Sequence, residues 1–198
     1  MKKRIIIFAS GSGTNAQNII EYFQQGEFAE VVRVLSNKKD AKVLDRAKGL
    51  NIKASPFTKD ELNSEKGILK TLIEDAPDLI VLAGFLLMFP KHILDEFPNK
   101  VINIHPALLP KYGGKGMYGQ RVHEAVVAAN ESETGITIHY VNERYDEGAV
   151  IFQKSIGLST NDTPAEVAQK VHALEYEYFP VVIEELLRSE ETQKSEND

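Results

Sequence analysis

Continuous apolar runs, each closed by residues that cannot prolong a strand, constrain this chain most. Arg4 to Ala9 runs into Ser10-Gly11-Ser12-Gly13 and Asp78 to Ala83 into Gly84-Phe85, while the β-branched residues Val101, Ile102 and Ile104, interrupted by Asn103, lead into His105-Pro106. A strand with apolar residues at successive positions has no polar face to give to water, so it is covered on both sides, the condition of a parallel sheet between helices. Between the runs apolar residues recur at helical spacing, as in Ile19, Ile20, Tyr22 and Phe23. Strand and helix steps in series, joined by right-handed crossovers, predict an α/β fold with a doubly wound, mostly parallel sheet.

The remaining pattern fills in that sheet. Helices are expected over 41–50, 63–75, 90–97 and 120–129, and a short strand over 53–56. Apolar and polar residues partly alternate over 136–141, and 149–156 reads as a further strand, so the sheet should end in an antiparallel edge hairpin. Asp162-Thr163-Pro164 has the composition of a helix start, and the last helix is expected to run from there to Leu187. At 198 residues the chain suits a single domain, here 1–188. Residues 189–198 carry no apolar side chain and are expected to form a disordered acidic tail.

Bulk properties remove several function classes. The formal charge of −6 argues against a general nucleic-acid binder. There is no cysteine, hence no thiolate nucleophile, disulfide or Cys-ligated metal. No apolar run approaches the roughly 20 residues of a membrane span, and Ile5 to Ala9 is too short for a signal sequence, so a cytoplasmic home is expected.

Two stretches carry the chemistry. Gly11, Gly13 and Ala16 fit a dinucleotide-type loop, and Ser10-Gly11-Ser12-Gly13-Thr14-Asn15 lies between a strand and a helix, where backbone N–H groups face an anion. NAD would want an acidic residue closing the second strand, but Val31 to Leu35 ends in Ser36-Asn37-Lys38-Lys39. NADP or a phosphate monoester remains, beside the plainer reading of a tight turn capped by Ser or Thr. The second stretch is Asn103-Ile104-His105-Pro106-Ala107-Leu108-Leu109-Pro110. Asn103 and His105, two apart on a strand, share a face at the sheet's carboxyl edge, where ligands bind in open α/β folds. An amide can donate to a developing oxyanion and an imidazole can move a proton. An Asx cap and a structural histidine fit the same pattern. Leu86 to Phe89, apolar at a strand's end, reads as core or as the wall of a pocket for a flat ligand.

Taken together, Gly11-Ser12-Gly13-Thr14-Asn15, Leu82-Ala83-Gly84-Phe85, Asn103 to Pro110, and Gly135-Ile136-Thr137-Ile138-His139 with Asp146-Glu147-Gly148 resemble the phosphoribosylglycinamide formyltransferases of purine synthesis. The resemblance spans roughly 3–187. Its core motif is shared with methionyl-tRNA formyltransferases and formyltetrahydrofolate hydrolases, whose extra domains find no room in this length.

The resemblance implies formyl transfer from 10-formyltetrahydrofolate to glycinamide ribonucleotide. Asn103 would hold the formyl oxygen, His105 would transfer protons, and Asp146 would raise the His105 pKa. Gly11, Ser12, Gly13, Thr14 and Asn15 would hold the ribose phosphate, and Glu175 would meet the glycinamide end. Leu86, Leu87, Met88 and Phe89 with Asn142 and Tyr145 would enclose the pterin. Leu87 stands where relatives often have a basic residue, and Lys59 is only a loose counterpart of a basic residue that meets the folate glutamate. His139 is expected beside the site or on an edge strand, His123 and His172 as surface or satisfied contacts, and His92 in solvent. No metal ligand spacing is present, and none is expected to bind. The rivals are hydrolysis of the formylfolate and, in another class, an NADP-binding reductase or a nucleotide-binding module. Oligomeric state is not legible in the sequence.

Overall fold

The computed structural model describes residues 1–195. The chain forms two compact units, 1–85 with the chain from Tyr178 onward, and Leu86–Glu177. In the first unit the elements are β1 (Lys3–Phe8), α1 (Thr14–Gln24), β2 (Ala29–Ser36), α2 (Lys42–Gly49), β3 (Lys53–Pro56), α3 (Lys59–Asn63), α4 (Ile68–Asp75) and β4 (Leu79–Leu82). Its strands are ordered β3-β2-β1-β4 and every pairing is parallel. The chain winds outward from β1 to β3 and returns to the other side of β1 at β4, which is the doubly wound arrangement.

Burial follows from the sequence patterns. Ile5, Ile6, Ile7 and Phe8 are fully enclosed, as a strand with no polar face requires. Helix α1 turns Ala16, Ile19, Ile20 and Phe23 to the core. Phe8, Phe57 and Phe85 meet edge to face or tilted, with centroids 5.4 to 6.1 Å apart. The helix expected over 63–75 is α4, which starts later, at Ile68, and a separate short helix, α3, precedes it. Thr58 and Glu61 form a capping box that starts α3 early, and at Gly67 a Cβ would stand 2.0 Å from the Glu61 carbonyl oxygen, so only glycine can make the break before α4.

The second unit contains α5 (Lys91–Glu96), β5 (Val101–His105), α6 (Gln120–Ala128), β6 (Glu133–Tyr140) and β7 (Val150–Gly157). β5, β6 and β7 are consecutive and antiparallel, so the expected edge hairpin is the β6-β7 pair. Its core includes Val101, Ile102, Ile104, Val122, Val126, Ile136 and Ile138.

Helix α7 (Pro164–Ser195) begins in the second unit and ends in the first. Thr163 opens it as expected: its backbone N–H donates to Glu166 Oε2 at 2.8 Å and its hydroxyl accepts from the Glu166 N–H at 3.3 Å. The helix passes the expected end at Leu187 and continues to Ser195. Glu, Gln, Lys and Arg are good helix formers even without an apolar stripe, which accounts for the extension. Residues 196–198, the end of the expected tail, lie outside the described residues. No described helix is long and apolar enough to cross a membrane.

Gly13 has φ 75°, and a Cβ there would lie 2.3 Å from Val43 Cγ2 and 2.7 Å from the Val43 backbone. Gly13→Ala should therefore lower the unfolding free energy by about 1–3 kcal/mol or more in urea titrations. Unchanged stability would contradict the close approach of α2 to this loop.

Candidate active site

β5 and β6 build the centre of the second unit. Their antiparallel register sets Asn103 opposite His139 and His105 opposite Thr137. The Asn103 amide donates from Nδ2 to Nε2 of His139 at 3.1 Å, and His139 Nδ1 donates to the Tyr140 carbonyl at 2.9 Å. One tautomer satisfies both bonds, and together they fix the rotation of the amide. Thr137 holds the turn after β5. Its hydroxyl donates to the Ala107 carbonyl at 2.7 Å and accepts from the Leu109 N–H at 3.0 Å, while Gln153 Nε2 donates to that hydroxyl at 2.9 Å.

His105 is 3% exposed. Its Nε2 donates to the Tyr112 carbonyl at 2.7 Å, and its Nδ1 lies 3.6 Å from Oδ2 of Asp146. The other oxygen of Asp146 stands 3.7 Å from Nε2 of His139, and Oδ2 also accepts from the Gly114 N–H at 2.9 Å. Asp146 has φ 58°, so it occupies the left-handed region that few side chains adopt. Beyond it Gly148 lets the hairpin loop close, because a Cβ there would sit 1.6 Å from the Tyr140 carbonyl oxygen.

Burial holds the His105 ring below its usual range, against Asp146 and the Tyr112 carbonyl, which both favour the charged form. The resemblance implies that Asp146 raises the value, and the carboxylate does act in that direction, but burial outweighs it. Removing the ring from water outweighs one carboxylate that stands 3.6 Å away. Burial also pushes the Asp146 carboxyl up, but His139, His105 and the Gly114 N–H outweigh it and leave the group below the ordinary carboxylate range.

Glu175 lies on α7 and is 4% exposed. Nδ1 of His172 donates to its Oε2 at 2.8 Å, and its charge is felt by both His105 and His123. His123 departs from expectation. It is 2% exposed, and its Nδ1 has no hydrogen-bond partner among the described residues. Helix α6 carries it on the same buried face as Val122 and Val126, so packing, not hydrogen bonding, decides its position. His92 is half-buried with Nε2 shut from water, where the sequence suggested full exposure. The resemblance offered His139 a place beside the site or a plain edge-strand role, and the β5-β6 register brings it to Asn103.

The segment 86–89 is irregular, and it divides by exposure. Phe89 is buried, Leu87 is half-buried, and Leu86 and Met88 are 37% and 47% exposed. Asn142 is exposed and its Oδ1 accepts from the Arg144 N–H at 2.9 Å, while Tyr145 is half-buried. In the first unit, Gly13 is the N-cap of α1 and no side chain caps the helix, which removes the Ser or Thr capping reading. Gly11 and Ser12 are exposed, Thr14 and Asn15 half-buried. Arg46, which the sequence did not single out, donates from Nε to the Ser12 carbonyl at 2.9 Å and stabilises the loop. Lys59 is exposed at the first turn of α3. Among the described residues no group of three or more His, Asp or Glu is arranged to hold a metal ion.

Burial holds His123, like His105, below its usual range. Both rings resist a proton that the unfolded chain accepts, so their contribution to stability is complete above pH about 6.5 and is lost as pH falls below it. The loss of unfolding free energy between pH about 7.5 and 5.5 should therefore be smaller in His123→Leu than in the parent. Equal losses, read from urea titrations at the two pH values, would contradict this assignment.

The formyl transferase family model matches residues 3–183. A chloroplastic phosphoribosylglycinamide formyltransferase of Arabidopsis thaliana is 36% identical over 94% of this chain and 68% of its own length. The phosphoribosylglycinamide formyltransferase of Haemophilus influenzae is 37% identical over 91% of this chain and 85% of that protein. The crystal structure of glycinamide ribonucleotide transformylase 1 from Geobacillus kaustophilus superposes with a TM-score of 0.85, at 34% identity, over 94% of this chain and 100% of that one. The chain belongs to the formyl transferase family, among the phosphoribosylglycinamide formyltransferases.

Proposed function

We propose that Asn103, His105 and Asp146 carry the formyl transfer of this family, from 10-formyltetrahydrofolate to the primary amine of glycinamide ribonucleotide in purine synthesis. The observation that supports the reading most is the Asn103 amide locked onto His139 in the same β5-β6 pair that carries His105 beside Asp146. An amide nitrogen has a second N–H, which would donate to the formyl oxygen as negative charge develops there. His105 would take the proton of the attacking amine and deliver it to the folate nitrogen that leaves. Asp146 would stabilise the imidazolium between those events. The ring starts uncharged in its buried place, so the carboxylate acts on the transient state, where stabilisation raises the rate. The amine is itself the nucleophile, so no covalent enzyme intermediate forms.

The uncapped N-terminus of α1 and the exposed backbone of Gly11 and Ser12 support a phosphate-binding role for Gly11 to Asn15. Glu175 would contact the glycinamide end. The folate supplies an activated formyl group, and its flat ring suits the exposed apolar surfaces of Leu86 and Met88. Leu87, Phe89, Asn142 and Tyr145 would complete that wall, with Lys59 the candidate for the folate tail. In this reading residues 1–188 are the catalytic domain of a cytoplasmic enzyme with small-molecule substrates and no metal.

The test is release of deformylated folate from a formylfolate analogue, followed with and without glycinamide ribonucleotide. Release that requires the amine substrate is expected, and release without it would make the protein a hydrolase. Asn103→Ala should lower kcat/KM by about 10²–10³-fold and Asp146→Asn by about 10²–10⁴-fold, both with native circular dichroism. Near-normal turnover in either variant would remove that residue from the mechanism.

A further inference from the structure

Glu175 and His172 form a pair of unequal exposure. The carboxylate is 4% exposed, and the imidazole bonded to it at 2.8 Å has a side chain that is 50% exposed. His172 is one turn away on α7 and meets two further rings. Its ring stacks on Tyr176, with centroids 6.3 Å apart and planes inclined by 20°, and meets the His123 ring edge to face at 6.4 Å. A buried carboxylate is thus hydrogen-bonded to a half-exposed ring that can gain or lose a proton. We propose that His172 is a positioning residue for the amine-bearing substrate: it fixes the Glu175 carboxylate and sets the charge that the pair presents to the substrate's amine end. The proposal rests on the reading that Glu175 contacts that end.

The physical consequence is a charge switch at the substrate site. With His172 protonated the pair is neutral, and an imidazolium already occupies the carboxylate. With His172 unprotonated the hydrogen bond persists and the pair carries a net negative charge, which attracts an ammonium group. The titratable neighbours of the ring are Glu175 and Tyr176 on its own helix and His123 on α6. The Glu175 hydrogen bond holds His172 above its ordinary range, against the effect of burial. The switch therefore lies above pH about 6.5, inside the working range of an enzyme.

The test uses the full chain with His172→Gln, whose amide can hydrogen-bond but cannot titrate, and His172→Phe, which can do neither. KM and kcat are measured for glycinamide ribonucleotide and for a formylfolate from pH about 6 to 8.5, and binding of glycinamide ribonucleotide alone is followed by calorimetry. In the parent, KM for the amine substrate should fall about two- to five-fold as pH rises through the His172 titration, the effect of one partly screened charge. In His172→Gln that limb should be flat and low. In His172→Phe affinity should fall at every pH, because the carboxylate loses the hydrogen bond that His172 donates. The effects should be confined to KM for the amine substrate and to its calorimetric affinity. A His172→Gln variant that reproduces the parental pH profile would overturn the proposal. Glu175→Gln separates the two levels: unchanged affinity for the amine substrate would remove the underlying reading, whereas weakened affinity beside inert His172 variants would remove only the positioning role.

Discussion

One carboxylate, Asp146, draws its partners from separate segments of the second unit. It faces His105 at the end of β5, His139 on β6 and the backbone N–H of Gly114 in the glycine-rich connection. A largely buried carboxylate without such partners would protonate or destabilise the fold, so the site and the local stability depend on the same contacts. These contacts hold Asp146 in its left-handed backbone, and, two residues on, Gly148 is required by its approach to the Tyr140 carbonyl. Strain in a tight hairpin loop is tolerated where the surrounding hydrogen bonds over-determine the conformation.

The register of β5 against β6 supplies the rest of the geometry. Asn103 opposite His139 and His105 opposite Thr137 form two adjacent cross-strand pairs. One pair locks the amide, and the other anchors the turn through Ala107 and Leu109. A slip of one residue would turn every one of these side chains to the opposite face. In the proposed reaction the donor for the formyl oxygen and the proton carrier are therefore positioned by backbone pairing rather than by mobile side chains, a form of preorganisation that requires no rearrangement when charge develops.

The parallel strands and the glycine loop were legible because buried apolar runs and positive-φ glycines leave strong local signals, as at Ile5 to Phe8 and Gly13. Asn103 and His105 stood out because they share a strand face just before Pro106. What the sequence did not reveal depends on tertiary contact. His123 read as a surface residue or a satisfied contact, and the packing of α6 encloses it. The break between α3 and α4 turns on the approach of Gly67 to the Glu61 carbonyl, a distance that no periodicity encodes. The net direction of the His105 shift also depends on tertiary contact. The sequence, through its resemblance, points to an acidic partner, but it does not weigh that partner against the loss of water around the ring.

The central claim is that His105 is uncharged at rest and that Asp146 supports its charged form. Nuclear magnetic resonance titration of the histidine-labelled protein, with His105 assigned by substitution, tests it directly. The account predicts a His105 midpoint below the ordinary value of about 6.5, moving lower still in Asp146→Asn. A midpoint above the ordinary value, or one that does not move when Asp146 loses its charge, would contradict it.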